Sequence, residues 1–269
     1  MADETLQATL IVSVDLSHGV SNATENQYSD DHMVKSLAPL MARHHVSATW
    51  GFADPAQSPG LARLLAVAPA QEVALHGDAS AELVVSRSLT RRVADAIEGG
   101  MKAGFQLSTL VLRRTSLGDD WRNVMRHGIN AVSGATVAHD EGVNTAPRRT
   151  LGIAGEDTPR AIRYGLWEFP AVSCLPWKTG LWTLATTSLR TRQSIDRATS
   201  QGAVVHLAID AGAYCAAESR VHRWLDRILE HASKRSSQGR LEILSVADAV
   251  SRLAQTRRGE PSRSILHAA

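Results

Sequence analysis

Along most of the chain, short runs of apolar or β-branched residues alternate with longer stretches in which apolar positions recur every three or four residues. The short runs lie at 8–15, 47–52, 72–76, 109–113, 129–133, 166–172, 203–209 and 241–246. They are continuously hydrophobic rather than alternating, which fits strands covered on both faces, as in a parallel sheet. Between them, residues 31–44 set Met33, Leu37, Leu40 and Met41 at helical spacing behind Asp30 or Asp31 as a cap. Ser88 is placed to cap a helix over 89–103. Residues 218–234 put Val221, Trp224, Leu225 and Ile228 on one face, with Gly239 beyond the end, and 246–255 make a last helix. About eight strands with interleaved helices predict an α/β fold, a TIM-like (β/α) barrel, complete or distorted.

The segment 134–163 breaks this rhythm. It is polar, holds Pro147 and Pro159, and has few apolar anchors, so it reads as a long loop. The pattern predicts one barrel domain over 1–256 and a frayed tail over 257–269, where Gly259 and Pro261 stand.

Composition changes this picture little. Hydrophobic residues make up 43% and charged residues 21% of 269, enough for a sizeable core. Basic and acidic side chains number 29 and 27 without long runs of either sign, which argues against a nucleic-acid groove. No apolar run approaches the roughly 20 residues that cross a bilayer. The acidic start Met1-Ala2-Asp3-Glu4 lacks the pattern of a secretory signal, so the expected location is the cytoplasm. Cys174 and Cys215 form neither a CxxC motif nor a disulfide framework and read as buried thiols.

Chemistry concentrates at the C-terminal ends of the predicted strands, where the βα loops of a barrel converge. Asp15 closes the first, His76 and Asp78 the third, and Arg113 and Arg114 the fourth. Glu168 lies in the sixth, and His206 and Asp210 lie in the seventh. Each has a plain structural alternative: Asp15 as a turn cap, the histidines as hydrogen-bonded core residues, the arginines as solvated surface. Several converging on one face are harder to dismiss. No GxGxxG, GxxxxGK[ST] or GxSxG occurs.

Four segments, in this order, carry a resemblance: Ser13-Val14-Asp15-Leu16-Ser17, His76-Gly77-Asp78-Ala79-Ser80, Arg114-Thr115-Ser116-Leu117-Gly118 and Val204-Val205-His206. They resemble the motifs of the polysaccharide deacetylase, or NodB-homology, family over most of the chain. The resemblance implies a distorted barrel with Asp15 at the position of the catalytic base, Arg114 at that of the arginine orienting it, and His206 at that of the general acid. It also implies His76 as a ligand of zinc or another divalent ion. Leu16 stands where the family has a metal-binding aspartate, and Ser80 where it has a second imidazole, so the familiar triad keeps one member. A rewired set of Asp15, His18, His76 and Asp78 would be needed to hold an ion. Trp50 and Trp167, with Trp177 and Trp182, are candidates for stacking on a sugar.

Two readings follow from this divergence. One is a hydrolase of a carbon–nitrogen bond, such as the amide of an N-acetyl sugar, with an altered metal site. The other is a catalytically inactive barrel that binds a carbohydrate or a protein partner. A third, metal-independent reading makes Asp15 and His206 an acid/base pair. The expected ligand is a carbohydrate or another small molecule.

Overall fold

The computed structural model describes residues 7–16, 30–77, 88–112, 121–134, 159–163, 165–170, 173–174, 181–210, 214 and 218–259. The strands are β1 (Ala8–Asp15), β2 (Ala48–Phe52), β3 (Glu72–His76), β4 (Thr109–Val111), β5 (Ala131–Ser133), β6 (Arg160–Arg163), β7 (Leu166–Phe169), β8 (Ser173–Cys174), β9 (Val204–Asp210) and β10 (Leu241–Leu244). The helices are α1 (Asp30–Arg43), α2 (Leu61–Leu65), α3 (Leu89–Ala103), α4 (Trp121–Arg126), α5 (Leu181–Gln201), α6 (Glu218–Ser237) and α7 (Val246–Gly259), with a short 3₁₀ turn at Pro55–Gln57.

The ten strands among the described residues form one curled sheet in the order β6-β7-β5-β4-β3-β2-β1-β9-β8, with β10 paired to β1. Every pairing is parallel except β6 with β7. Strand β1 is the axis of the sheet. One edge pairs with β9 along Thr9 to Asp15, while the other is shared between β10, beside Ala8 to Ile11, and β2, beside Val12 to Asp15. A strand with neighbours on both edges and layers on both faces is buried along its whole length, as every residue of β1 is, its few polar side chains, Thr9, Ser13 and Asp15, included. The architecture is the distorted (β/α) barrel type, with β6 and β8 as the edges among the described strands.

Alternation along the strands sorts the core into two parts. Leu10, Val12, Val14, Trp50, Val73, Leu75, Leu110, Val205, Leu207 and Ile209 face outward and pack with the buried sides of α1 and α6, among them Met33, Leu37, Met41, Leu225 and Ile228. Ile11, Ala131, Trp167 and Phe169 face inward and meet Val246, Ala249 and Val250 of α7. The last described helix thus packs against the concave side of the sheet. Ser245 caps its start, with Asp248 N–H donating to Ser245 Oγ at 3.2 Å and Ser245 Oγ donating to the Asp248 carboxylate at 2.8 Å. The next free amides reach into the sheet: Val246 N–H donates to Thr49 Oγ1 at 2.9 Å and Ala247 N–H to Glu72 Oε2 at 3.0 Å. Thr49 Oγ1 in turn donates to Glu72 Oε2 at 2.7 Å. Burial pushes the Glu72 carboxyl above its ordinary range, against these hydrogen bonds, and nearby Asp248 adds to the rise.

Predicted and observed bounds coincide for β1, β3 and α3, whose cap is Ser88 Oγ accepting Arg91 N–H at 3.3 Å. Elsewhere the structure corrects the reading. The expected loop 134–163 contains strand β6 at its end, paired antiparallel with β7 through Gly165 at φ 91°; residues 135–158 lie outside the described part. The expected strand at 241–246 stops at Leu244, because Ser245 caps α7. Helix α7 also runs to Gly259, past the expected start of the tail at 257, and the rest of that tail lies outside the described residues. Among the described residues no helix is long and apolar enough to cross a membrane.

Candidate active site

The inner face of the sheet carries an unusual share of polar side chains toward its C-terminal end. Register places Asp15 directly between Asp210 of β9 and Gly51 of β2, and Ser13, one pleat lower, between Ala208 and Thr49. Gly51 is in turn level with Ala74 of β3, and His76 stands one pleat above that. Asp15 and His76 are both buried, at 2% and 1% exposure.

Gly51 is what lets these two groups share a face. A Cβ there would stand 3.0 Å from Val111 Cγ2 and 3.6 Å from the His76 ring at Cδ2, so the imidazole lies beside the place a side chain would occupy. The exit of β3 is equally tight. Gly77 N–H donates to Val111 O at 2.7 Å, and a Cβ on Gly77 would come within 2.4 Å of Leu112. Arg92 of α3, itself buried, donates through two nitrogens to the carbonyls of His76 at 2.9 Å and Gly77 at 2.8 Å. Nothing in the spacing of the sequence marks Arg92 for this, since it reads as one more polar helix residue behind the cap Ser88.

His206 lies deeper than its place near a strand end suggests. Its register partner is Ile11, two pleats below Asp15, while Asp210 is the β9 residue level with Asp15. The ring is 2% exposed and held at both nitrogens. Nδ1 is 3.1 Å from Phe169 O, and since a carbonyl only accepts, Nδ1 carries the proton. In the neutral ring Nε2 then accepts from the Ser13 hydroxyl, at 2.9 Å. Glu168, also expected to face the site, is engaged on the edge of the sheet, in an ion pair with Arg160 of β6.

Two of the tryptophans expected to stack on a sugar, Trp50 and Trp167, are buried in the core. Trp50 is fully buried on the outer face, where its indole N–H donates to Gln71 Oε1 at 3.0 Å, so it belongs to the outer core. Trp167 is packed with Phe169 and α7 in the inner core. Trp177, His18, Asp78, Ser80, Arg113 and Arg114 lie outside the described residues, as does the side chain of Trp182.

A divalent ion needs about three protein donors on converging vectors. Among the described residues no group of three His, Cys, Asp or Glu meets that requirement. Leu16, at the position the resemblance reserves for a ligand, is 2% exposed and packed in the outer core, turned away from the face that carries Asp15. The described donors therefore do not fit the family's metal set, and Asp15 and His76 are the part of a rewired set that shares the inner face.

The sequence matches no protein-family model and no curated protein. Solved structures are similar to it in fold. One described as a polysaccharide deacetylase from Mycobacterium smegmatis aligns over 95% of this chain and 93% of its own, at 12% identity and a TM-score of 0.59. Another, described as a polysaccharide deacetylase from Pseudomonas aeruginosa PAO1, aligns over 92% and 91%, at 13% identity and 0.61. The Puue allantoinase aligns over 94% and 92%, at 12% identity and 0.62. The chain has the deacetylase-type barrel fold over nearly its whole length, in a strongly diverged sequence. The likeness is one of architecture, and function has to be argued from the site.

Proposed function

We propose that this protein hydrolyses a carbon–nitrogen bond, of the amide type found in N-acetyl sugars, at the C-terminal mouth of the sheet. The observation that supports this best is the placement of Asp15 and His76 on one inner face, with only Gly51 between their strands. The fold shared with proteins described as deacetylases and with an allantoinase agrees with it. In this reading Asp15 takes the proton of the attacking water and passes it to the departing amine, and Arg114 keeps Asp15 ionised by charge pairing; His206, which the resemblance made the general acid, lies two pleats below with both ring nitrogens engaged and steadies the sheet beneath the mouth. A divalent ion at this mouth would draw on Asp15, His76, His18 and Asp78.

The test is acetate release from N-acetylchitooligosaccharides, with elemental analysis of the same protein. Activity that falls at least a hundredfold in Asp15→Asn supports the reading. No release by the wild type, with or without added zinc, cobalt or nickel, sinks it. That result favours the second reading, a binding barrel without turnover, which the burial of Leu16 supports. It predicts that N-acetylchitooligosaccharide affinity survives Asp15→Asn.

A further inference from the structure

We propose that Arg92 is a positioning residue of this mouth, acting through the backbone that carries His76. The inference rests on reading the mouth as the functional site. In an extended strand successive carbonyls point to opposite edges. Here the carbonyls of His76 and Gly77 both meet one guanidinium, at 2.9 and 2.8 Å, so the chain has already turned out of the strand direction between them. A Cβ on the glycine at this turn would meet Leu112 Cδ2 at 2.4 Å, so that side chain would have to shift to admit one.

The two carbonyls lie where the ladder stops, since β3 ends at His76 and β2 ends at Phe52, level with Leu75. Buried carbonyls past a strand end need donors. Stability alone would be served by any N–H or hydroxyl. A guanidinium is costly to bury, and what it adds is a planar fork that fixes two acceptors relative to each other, which a lysine cannot do. Arg92 also sits in the first turns of α3, behind Ser88. It therefore ties the exit of β3 to the start of α3, and sets the position of the His76 ring beside Gly51.

The test is carried out on the full chain and needs no substrate. The ring resonance of His76 is identified by its loss in His76→Gln and followed in Arg92→Met, Arg92→Lys and Arg92→Gly, with amide hydrogen exchange measured in parallel. The expected result is a displaced His76 resonance and exchange at least tenfold faster at Gly77 in Arg92→Met. Exchange along β1 and β9 stays unchanged, Arg92→Lys recovers part of the effect, and added methylguanidinium restores Arg92→Gly. An unmoved His76 resonance in Arg92→Met overturns the proposal. So does faster exchange spread equally over β1 and β9, which would make Arg92 a general stabiliser. If Arg92→Met does not fold, Arg92→Lys decides by the same two signals. Acetate release plays no part, so failure here leaves the hydrolase reading standing, and failure of that reading leaves this result interpretable.

Discussion

Ser13 and His206, 193 positions apart in the chain, meet at 2.9 Å across the β1–β9 pair, and the other nitrogen of the imidazole is held by Phe169 O of β7. The side chain of His206 thereby links β9 to β7, two strands that do not pair with each other. Replacing Ser13 by alanine leaves a buried Nε2 without this partner, at a cost of about 1–3 kcal/mol. The expected outcome is a lowered midpoint in urea with an unchanged slope, and Ser13→Thr, which keeps the hydroxyl, recovers much of the loss.

Glu72 makes stability depend on pH in a direction opposite to that of an ion-paired carboxylate. Its folded pKa is raised, so the folded state binds the proton more tightly than the unfolded chain does. The stabilisation is full below the ordinary glutamate range and is lost as pH rises through the raised value. Glu72→Gln keeps a carbonyl oxygen for the Ala247 amide and the Thr49 hydroxyl while removing the buried charge. Thermal melts are expected to show the variant a few degrees more stable at pH 7, on the order of 2–4 °C per kcal/mol recovered, with the difference vanishing below about pH 4. A variant less stable at pH 7 would show that the charge on Glu72 is favourable where α7 begins.

Gly51→Ala tests the spacing of the site rather than its chemistry. The new methyl meets Val111 at 3.0 Å and approaches the His76 ring. The expected result is a folded protein, destabilised by about 1–3 kcal/mol through overpacking, in which the His76 resonance moves and any acetate release falls more than the stability loss explains.

Gln71 is a buried amide whose hydrogen bonds are all made within the entry to β2 and β3. Its carbonyl oxygen accepts Ala48 N–H at 3.1 Å and Trp50 Nε1–H at 3.0 Å, and its nitrogen donates to Val46 O at 3.0 Å and Pro69 O at 2.7 Å. Gln71→Met preserves volume but strands these four groups. Denaturant melts are expected to show a loss of about 2–4 kcal/mol, larger than an ordinary surface change.

Much of the fold was legible because burial on both faces forces continuous apolar runs, as in β1, and because Ser88 caps α3 with a side chain that sequence alone announces. Helix α5 was not, since part of the face it buries is made of Ser188 and Thr191 ahead of Ile195 and Ala198, and hydroxyls blur an apolar stripe. Strand β6 was hidden for a related reason: Arg160 and Arg163 are the charges of an edge strand, and they read as loop. At the site, the positions of Asp15 and His76 at strand exits followed from the motif order. The depth of His206 did not, because register between β1 and β9 is set by pairing over seven residues and leaves no mark in local composition. Trp50 was misplaced by the same limit: one step along a strand decides which face a side chain takes.

The contacts of α7 with Thr49 and Glu72 also bear on how the molecule is made. The Ala247 amide and the Glu72 carboxylate are separated by 175 residues, and the Val246 amide and Thr49 by 197. During synthesis the early strands β2 and β3 therefore exist for most of the chain's emergence with their inner carboxylate and hydroxyl still in water. Loop closure over such distances is slow relative to local pairing. Completion of the concave side is thus a late event, and a ribosome-bound chain stopped before residue 246 should display an open inner surface that a chaperone can read as unfinished.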